Sequence, residues 1–275
     1  MPTLPSRHSG TPTVELHQAR QIAESFGTDA QLYDRARPSY PDALIARIIA
    51  TSPGPDVLDV GCGTGIAARQ FQAAGCTVTG IEPDARMADF ARATGLPVEV
   101  TTFEAWEPAG RVFDTVIAAQ SWHWVDPVAG AAKAAEVLRP RGRLAIFGHV
   151  FEPPAAVAEP FAAAFARVVP DSPLGNQPAR RPLQIYQAGY AKIADTFRRT
   201  ERFDEPEQWQ FDWTQTYTRV QWLDLLPTTG GLTRLQPDQL TEILDAVGAA
   251  IDTMGGRFTM EYTTLAVTAC RAERN

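Results

Sequence analysis

Along the middle of the chain, short apolar runs alternate with amphipathic stretches of about ten residues. VLDV at 57–60 is followed by a helical pattern over 65–74, and TVTGIE at 77–82 by another over 84–93. PVEVTTF (97–103) and DTVIAAQ (114–120) come next, then a helical pattern over 127–138 and RLAIFGHV at 143–150. Apolar strands interleaved with helices predict right-handed βαβ units and a parallel sheet covered on both faces. Gly75 and Gly95 stand where left-handed helix stops belong, and a turn at 140–142 leads into the last of these strands.

On either side the regularity changes. Upstream, a short helix is expected over 18–26; Pro38 and Pro41 then break one helix, and Asp42 is placed to cap the next, whose Leu44, Ile45, Ile48 and Ile49 recur at helical spacing. Downstream of 150, prolines flank an Ala- and Phe-rich helix, which reads as a cap insertion. Strand-like segments follow at 197–203 and 208–217, helices at 220–226 and 237–254, and a final strand RFTMEYTTLAVTAC suited to a sheet edge. The expected organisation is a disordered tail over 1–17, an N-terminal helical lid over 18–50, a nucleotide-fold core over 51–150, the cap over 151–196 and a C-terminal part over 197–275 that completes the sheet. No internal repeat is present.

Composition narrows the function. With 275 residues, 44% of them apolar, the chain can bury a full core. A net charge of -7 offers no basic field for phosphates, which disfavours nucleic acid as the main partner. Cys62, Cys76 and Cys270 are scattered without paired spacing, as in a reducing, cytoplasmic setting. No membrane segment or signal peptide is expected, and His8, His17, His123 and His149 lack metal-ligand spacing, so no metal is expected. Oligomeric state is left open.

The candidate chemistry sits in VLDVGCGTG at 57–65. In an open parallel sheet the first βα turn lets backbone approach a ligand, and Gly61, Gly63 and Gly65 supply that access. Glu82 ends the next strand, 21 positions after Gly61, where such folds place the carboxylate that receives two ribose hydroxyls. A dinucleotide fingerprint would need G-x-G-x-x-G, but Ile66 stands at the place of its last glycine and Asp59 puts negative charge near a pyrophosphate. A ligand bearing a cationic amino group suits that carboxylate better.

VLDVGCGTG followed by GIEPD resembles the glycine-rich and acidic motifs of class I S-adenosylmethionine-dependent methyltransferases, over roughly residues 30–150. The resemblance implies an α/β, Rossmann-like, mostly parallel seven-stranded sheet with an antiparallel last strand and helices on both faces. It also implies S-adenosyl-L-methionine as cofactor and S-adenosyl-L-homocysteine as product. By it, the loop Asp59, Gly61, Cys62, Gly63 and Gly65 holds the methionine portion, Glu82 the ribose, and Pro83 with Met87 the adenine, which Phe103 or Glu104 also approaches. Tyr33 and Arg37, in YDRARP, resemble a lid segment that reaches the cofactor carboxylate, and Gln120 neighbours the transferring methyl group.

In AAQSWHWVDP, Trp122 and Trp124 either shape an apolar substrate pocket or pack under the next helix; His123 is either the general base or a histidine satisfied by a backbone carbonyl. His149 is a second substrate-side candidate. Cys62 reads as a small residue tolerated by the turn. The expected function is methyl transfer to a small molecule, oxygen favoured over nitrogen or carbon; SWHWVD and RPSYP loosely resemble uncharacterised relatives of trans-aconitate and quinone-pathway methyltransferases. The alternatives are a non-catalytic binder of the same cofactor and a dinucleotide-dependent oxidoreductase, which Ile66 disfavours.

Overall fold

The computed structural model describes residues 25–170 and 182–273. The tail expected over 1–17, residues 18–24 of the expected lid and 171–181 of the expected cap lie outside the described residues, as do His8 and His17. Seven strands form one sheet: β1 (Asp56–Val60), β2 (Thr77–Ile81), β3 (Val98–Glu99), β4 (Phe113–Ala119), β5 (Leu138–Glu152), β6 (Glu207–Thr218) and β7 (Arg257–Cys270), in the order β3-β2-β1-β4-β5-β7-β6. The first five pair in parallel and the last two run antiparallel. Strand order reverses between β1 and β4, the place where open α/β sheets bind ligands.

Two compact units divide the chain: one comprises Met1–Arg37, Val150–Ile185 and Asp212–Thr263, the other Pro38–His149, Tyr186–Phe211 and Thr264–Asn275. In the second unit the period-two alternation of the strands sorts side chains into two cores. Leu58, Val60, Val116, Ala118, Leu144 and Ile146 go to one, packed with α5 (Pro127–Val137) and α7 (Pro182–Thr200) through Ala131, Ala134, Ala194 and Phe197. Val57, Ile117, Ala145 and Phe147 go to the other, covered by α2 (Asp42–Ala50), α3 (Ile66–Ala73) and α4 (Ala85–Ala93) through Leu44, Ile48, Phe71 and Ala91. The expected two-faced sheet is thus present.

The first unit has its own core. α6 (Ala155–Val168), α8 (Arg219–Leu225) and α9 (Pro237–Thr253) bury Phe165, Trp222, Leu225, Ile243 and Val247 with Tyr217, Phe258 and Tyr262 of β6 and β7. It also holds α1 (Ala30–Ala36), capped by Asp29 through the Leu32 amide at 2.8 Å.

Several boundaries differ from expectation for physical reasons. The final strand is not at the edge: β7 lies between β5 and β6, and its buried stretch from Thr264 to Ala269 needs neighbours on both sides. β6, with alternating half-exposed positions, takes the edge. Residues 197–203 form no strand. Phe197 ends a helical face begun at Ala194 in α7, and only Phe203 bridges to the sheet, at Arg271. Asp42 is the first residue of α2 and Pro41 holds the cap position, leaving the acid to face the helix dipole. Gly75 and Gly95 do end helices with φ of 92° and 93°.

Phe197 is fully buried and joins α7 to the sheet core. Phe197→Ala should therefore lower unfolding free energy by about 3–5 kcal/mol in urea titrations; a loss below ~1 kcal/mol would show that this face of α7 contributes little.

Candidate functional site

The site starts where β1 stops. The amides of Gly61 and Cys62 both donate to the Ile81 carbonyl, at 2.8 and 3.0 Å, so the loop folds over the end of β2. Gly61, Gly63 and Gly65 take φ of 66°, 56° and 88°, and Gly65 opens α3. Gly61 is also sterically fixed: a Cβ there would lie 2.6 Å from that of Ser121. Ser121, which the sequence reading passed over, donates its hydroxyl to the Val60 carbonyl and so clips the ends of β1 and β4 together. A Cβ on Gly63 meets nothing within 4 Å, leaving this backbone approachable.

Glu82 faces the loop. One carboxylate oxygen accepts the Gly63 amide and the other the Asp84 amide, both at 2.9 Å. Each oxygen retains a further lone pair, enough for a vicinal diol. Burial pushes the carboxyl up to about 7, against the pull of those two amides. Asp84 caps α4 and is paired with Arg86 at 2.7 Å; burial acts to raise its carboxyl, but the Arg86 bonds leave it below its ordinary value.

Asp59, in β1, is fully buried, and neither of its oxygens meets a hydrogen-bond donor among the described residues at normal geometry. Burial first, and the charge of Glu82 second, push it up to about 8; the nearby Ala68 amide opposes this in part. Uncompensated buried carboxylates are costly. Among the described residues no basic side chain is bonded to either acid, and two acids beside an open glycine backbone can accommodate a ligand that carries both an ammonium and a diol. These are features of S-adenosylmethionine, and the cradle lacks the positive charge a pyrophosphate would need.

Other expected residues have the following surroundings. Cys62 is buried, its sulfur filling the space over Gly80, where a Cβ would lie 2.6 Å away; burial and the charges of Asp59 and Glu82 hold its thiol well above the usual range. Met87 is buried on α4 and Pro83 half-buried before it. Phe103 packs in the core, 6.4 Å from the Trp106 ring and 6.3 Å from Trp122. The Glu104 carboxylate accepts the Asp126 amide at 2.8 Å. Trp122 takes the packing role, since a Cβ on Gly130 of α5 would meet its ring at 3.2 Å. His123 and Trp124 are half-buried in the same short 3-10 turn, rings 4.6 Å apart, and burial lowers the His123 imidazole to about 4.

Gln120 and His149 are brought together: the His149 amide donates to Gln120 Oε1 at 2.7 Å. The His149 ring stacks on Tyr40 with centroids 4.4 Å apart, and its Nδ1 lies 2.9 Å from the Thr264 hydroxyl. Tyr33 and Arg37 belong to the first unit, where the Arg37 guanidinium covers the Tyr33 ring at 4.9 Å and its Nε donates to the Thr228 hydroxyl at 3.0 Å.

The raised acids carry a stability signature. A carboxyl whose folded value exceeds its unfolded one keeps an extra proton in the folded state, so its contribution is present at acid pH and is lost as pH climbs toward about 7 for Glu82 and about 8 for Asp59. Ligand-free protein should weaken across that window. Asp59→Asn should flatten the decline, with a gain of about 1–3 kcal/mol near its upper end; urea midpoints over a pH series report it, and parallel profiles would contradict the unpartnered acid.

Comparison with known proteins agrees with this geometry. The chain matches a family described as a methyltransferase domain over residues 33–253. An uncharacterized methyltransferase of Mycobacterium tuberculosis is 38% identical over 130 residues, 46% of this chain and 53% of that protein. A demethylmenaquinone methyltransferase of Tropheryma whipplei is 28% identical over 163 residues, 54% of this chain and 66% of that one. The chain thus spans about half the length of the M. tuberculosis relative. Among solved structures, an Anaeromyxobacter dehalogenans protein described as a type II methyltransferase superposes with a TM-score of 0.57 at 24% identity, covering 86% of this chain and 97% of that one. With the match covering most of its length and the glycine cradle flanked by two acids, the chain belongs to the methyltransferase-domain family, within the class I S-adenosylmethionine-dependent methyltransferase superfamily.

Proposed function

We propose that the protein transfers a methyl group from S-adenosylmethionine to a small-molecule acceptor, with oxygen the favoured acceptor atom. The observation that carries the reading is the pair of buried acids flanking the glycine loop: Asp59 without a donor among the described residues, and Glu82 held by two amides with lone pairs to spare. Asp59 and the backbone of Gly61, Gly63 and Gly65 would hold the amino acid end, Glu82 the ribose hydroxyls, and Pro83 and Met87 the base. The cofactor supplies a methyl carbon made electrophilic by its sulfonium.

What this chain then has to do is orient an acceptor and keep water away. His123, low at about 4, is neutral at physiological pH and free to take a proton, but too weakly basic to ionise an aliphatic alcohol. Acceptors that are anionic already, or nearly so, are the ones such a site serves. Carboxylates meet that condition, as do phenols made acidic by electron-withdrawing groups. The acidic balance of the chain, -7 overall, argues against nucleic acid as acceptor, and no described helix is long and apolar enough to cross a membrane.

Glu82→Ala should weaken S-adenosylhomocysteine binding in calorimetry by about 1.5–3 kcal/mol through lost charge-assisted hydrogen bonds; unchanged affinity would remove Glu82 from the cofactor site. Turnover of methyl-labelled cofactor against a panel of carboxylates and phenols tests the reaction, and binding without any transfer would favour a non-catalytic cofactor binder. His123→Ala should slow methylation of a nitrophenol by no more than about tenfold while sparing a carboxylate acceptor, which has no proton to lose.

A further inference from the structure

Within the glycine loop, four of the five N–H groups have an acceptor. Those of Gly61 and Cys62 go to the Ile81 carbonyl, that of Gly63 to Glu82, and that of Gly65 back to the Cys62 carbonyl at 2.8 Å. The Thr64 amide donates to nothing among the described residues. Its hydroxyl, which is buried, has no partner there either. Thr64 is held instead through its carbonyl, which accepts Arg69 Nη1 of α3 at 2.7 Å. All of these residues lie within the second unit.

The bond follows from helix geometry. Long side chains lean toward the N-terminus of the helix that carries them, so a residue early in α3 reaches back over the loop before it. The guanidinium arrives from the packed side of that loop. A Cβ on Gly65 would lie 3.3 Å from Leu96 Cδ2, 3.5 Å from Arg69 Nη1 and 3.6 Å from the Cβ of Ala91, whereas one on Gly63 meets nothing within 4 Å. The Thr64 carbonyl and the Gly65 N–H belong to one peptide. Arg69 grips its oxygen and Cys62 its hydrogen, so this plane is fixed at both ends. The peptide before it joins the open Gly63 to the unused Thr64 N–H, and its orientation follows from the plane that is fixed.

We infer that Arg69 is a positioning residue for the amino acid end of the cofactor: by holding the Thr64 carbonyl, it keeps the peptide between Gly63 and Thr64 in the form that presents its unused N–H to that end. The inference rests on the methyltransferase reading above. A bond from a charged donor to a carbonyl is among the stronger hydrogen bonds, and a loop already fixed in its binding form has less freedom to lose when the ligand arrives. The guanidinium meets the loop on the Gly65 side and not on the open Gly63 side, so it steadies the backbone from behind.

Calorimetry of the full chain with two ligands separates this role from general support of the fold. S-adenosylhomocysteine carries the amino acid end; methylthioadenosine has the same adenine, ribose and sulfur without it. Arg69→Met, which keeps the side-chain stem and removes the donor, should weaken S-adenosylhomocysteine about tenfold and leave methylthioadenosine within about twofold of the parent. Arg69→Lys, which restores a donor, should recover most of the loss. In ligand-free protein the Gly65 amide, on the peptide that Arg69 holds, should exchange with solvent about tenfold faster in Arg69→Met. Parental S-adenosylhomocysteine affinity in Arg69→Met, equal loss for both ligands, no recovery in Arg69→Lys, or unchanged Gly65 exchange overturns the assignment. A parent that binds neither ligand overturns the methyltransferase reading instead, and the Gly65 exchange still decides whether Arg69 fixes the loop.

Discussion

The contact on which the site depends is the carboxylate of Glu82 accepting the amide of Gly63. It ties the end of β2 to the loop that leaves β1, and it does so only because the loop backbone, with no side chains at three of its positions, can turn its N–H groups inward. The same carboxylate receives Asp84 at the start of α4, so one acidic group sets the spacing between two βα connections. Behind it, Asp59 has no such partner among the described residues, and burial keeps its proton on up to about 8. One acid ties the loop together, and the other stands buried beside it without a donor among the described residues.

That division explains which parts were legible in the sequence. Short apolar strands interleaved with helices predicted a sheet covered on both faces, and the strands' period of two then sends consecutive side chains to opposite cores, as Val116 and Ile117 show. Gly61, Gly63, Gly65 and Glu82 were legible for a similar reason: a turn that needs left-handed backbone and a carboxylate one strand away are both local features at fixed spacing. The helices over Arg219–Leu225 and Pro237–Thr253 were also found from their period.

Less legible were features that depend on what another segment brings near. The aromatic stretch 197–203 looked like a strand, yet Phe197 serves a helix, since the partner that selects its conformation is the distant face of the sheet. The long last strand was expected at an edge; β6 took that place, and no pattern within β7 encodes which neighbour flanks it. Ser121 and Arg69 went unnoticed because a serine after a strand and an arginine in a helix are ordinary until the carbonyls of Val60 and Thr64 are seen beside them. Trp122 and His123 are adjacent in sequence but differ in burial, a distinction set by the short 3-10 turn they share.

Cys62 and Gly80 show how such closeness constrains history. The sulfur of one occupies the room the other lacks a side chain to fill, so the two positions draw on a single volume. Bulk can pass between them only in one order, a shrinkage at the loop before any enlargement on the strand. Lineages that carry a larger residue at the strand position are therefore expected to have lost the thiol first, and the two sites should drift as a linked pair while their neighbours vary independently.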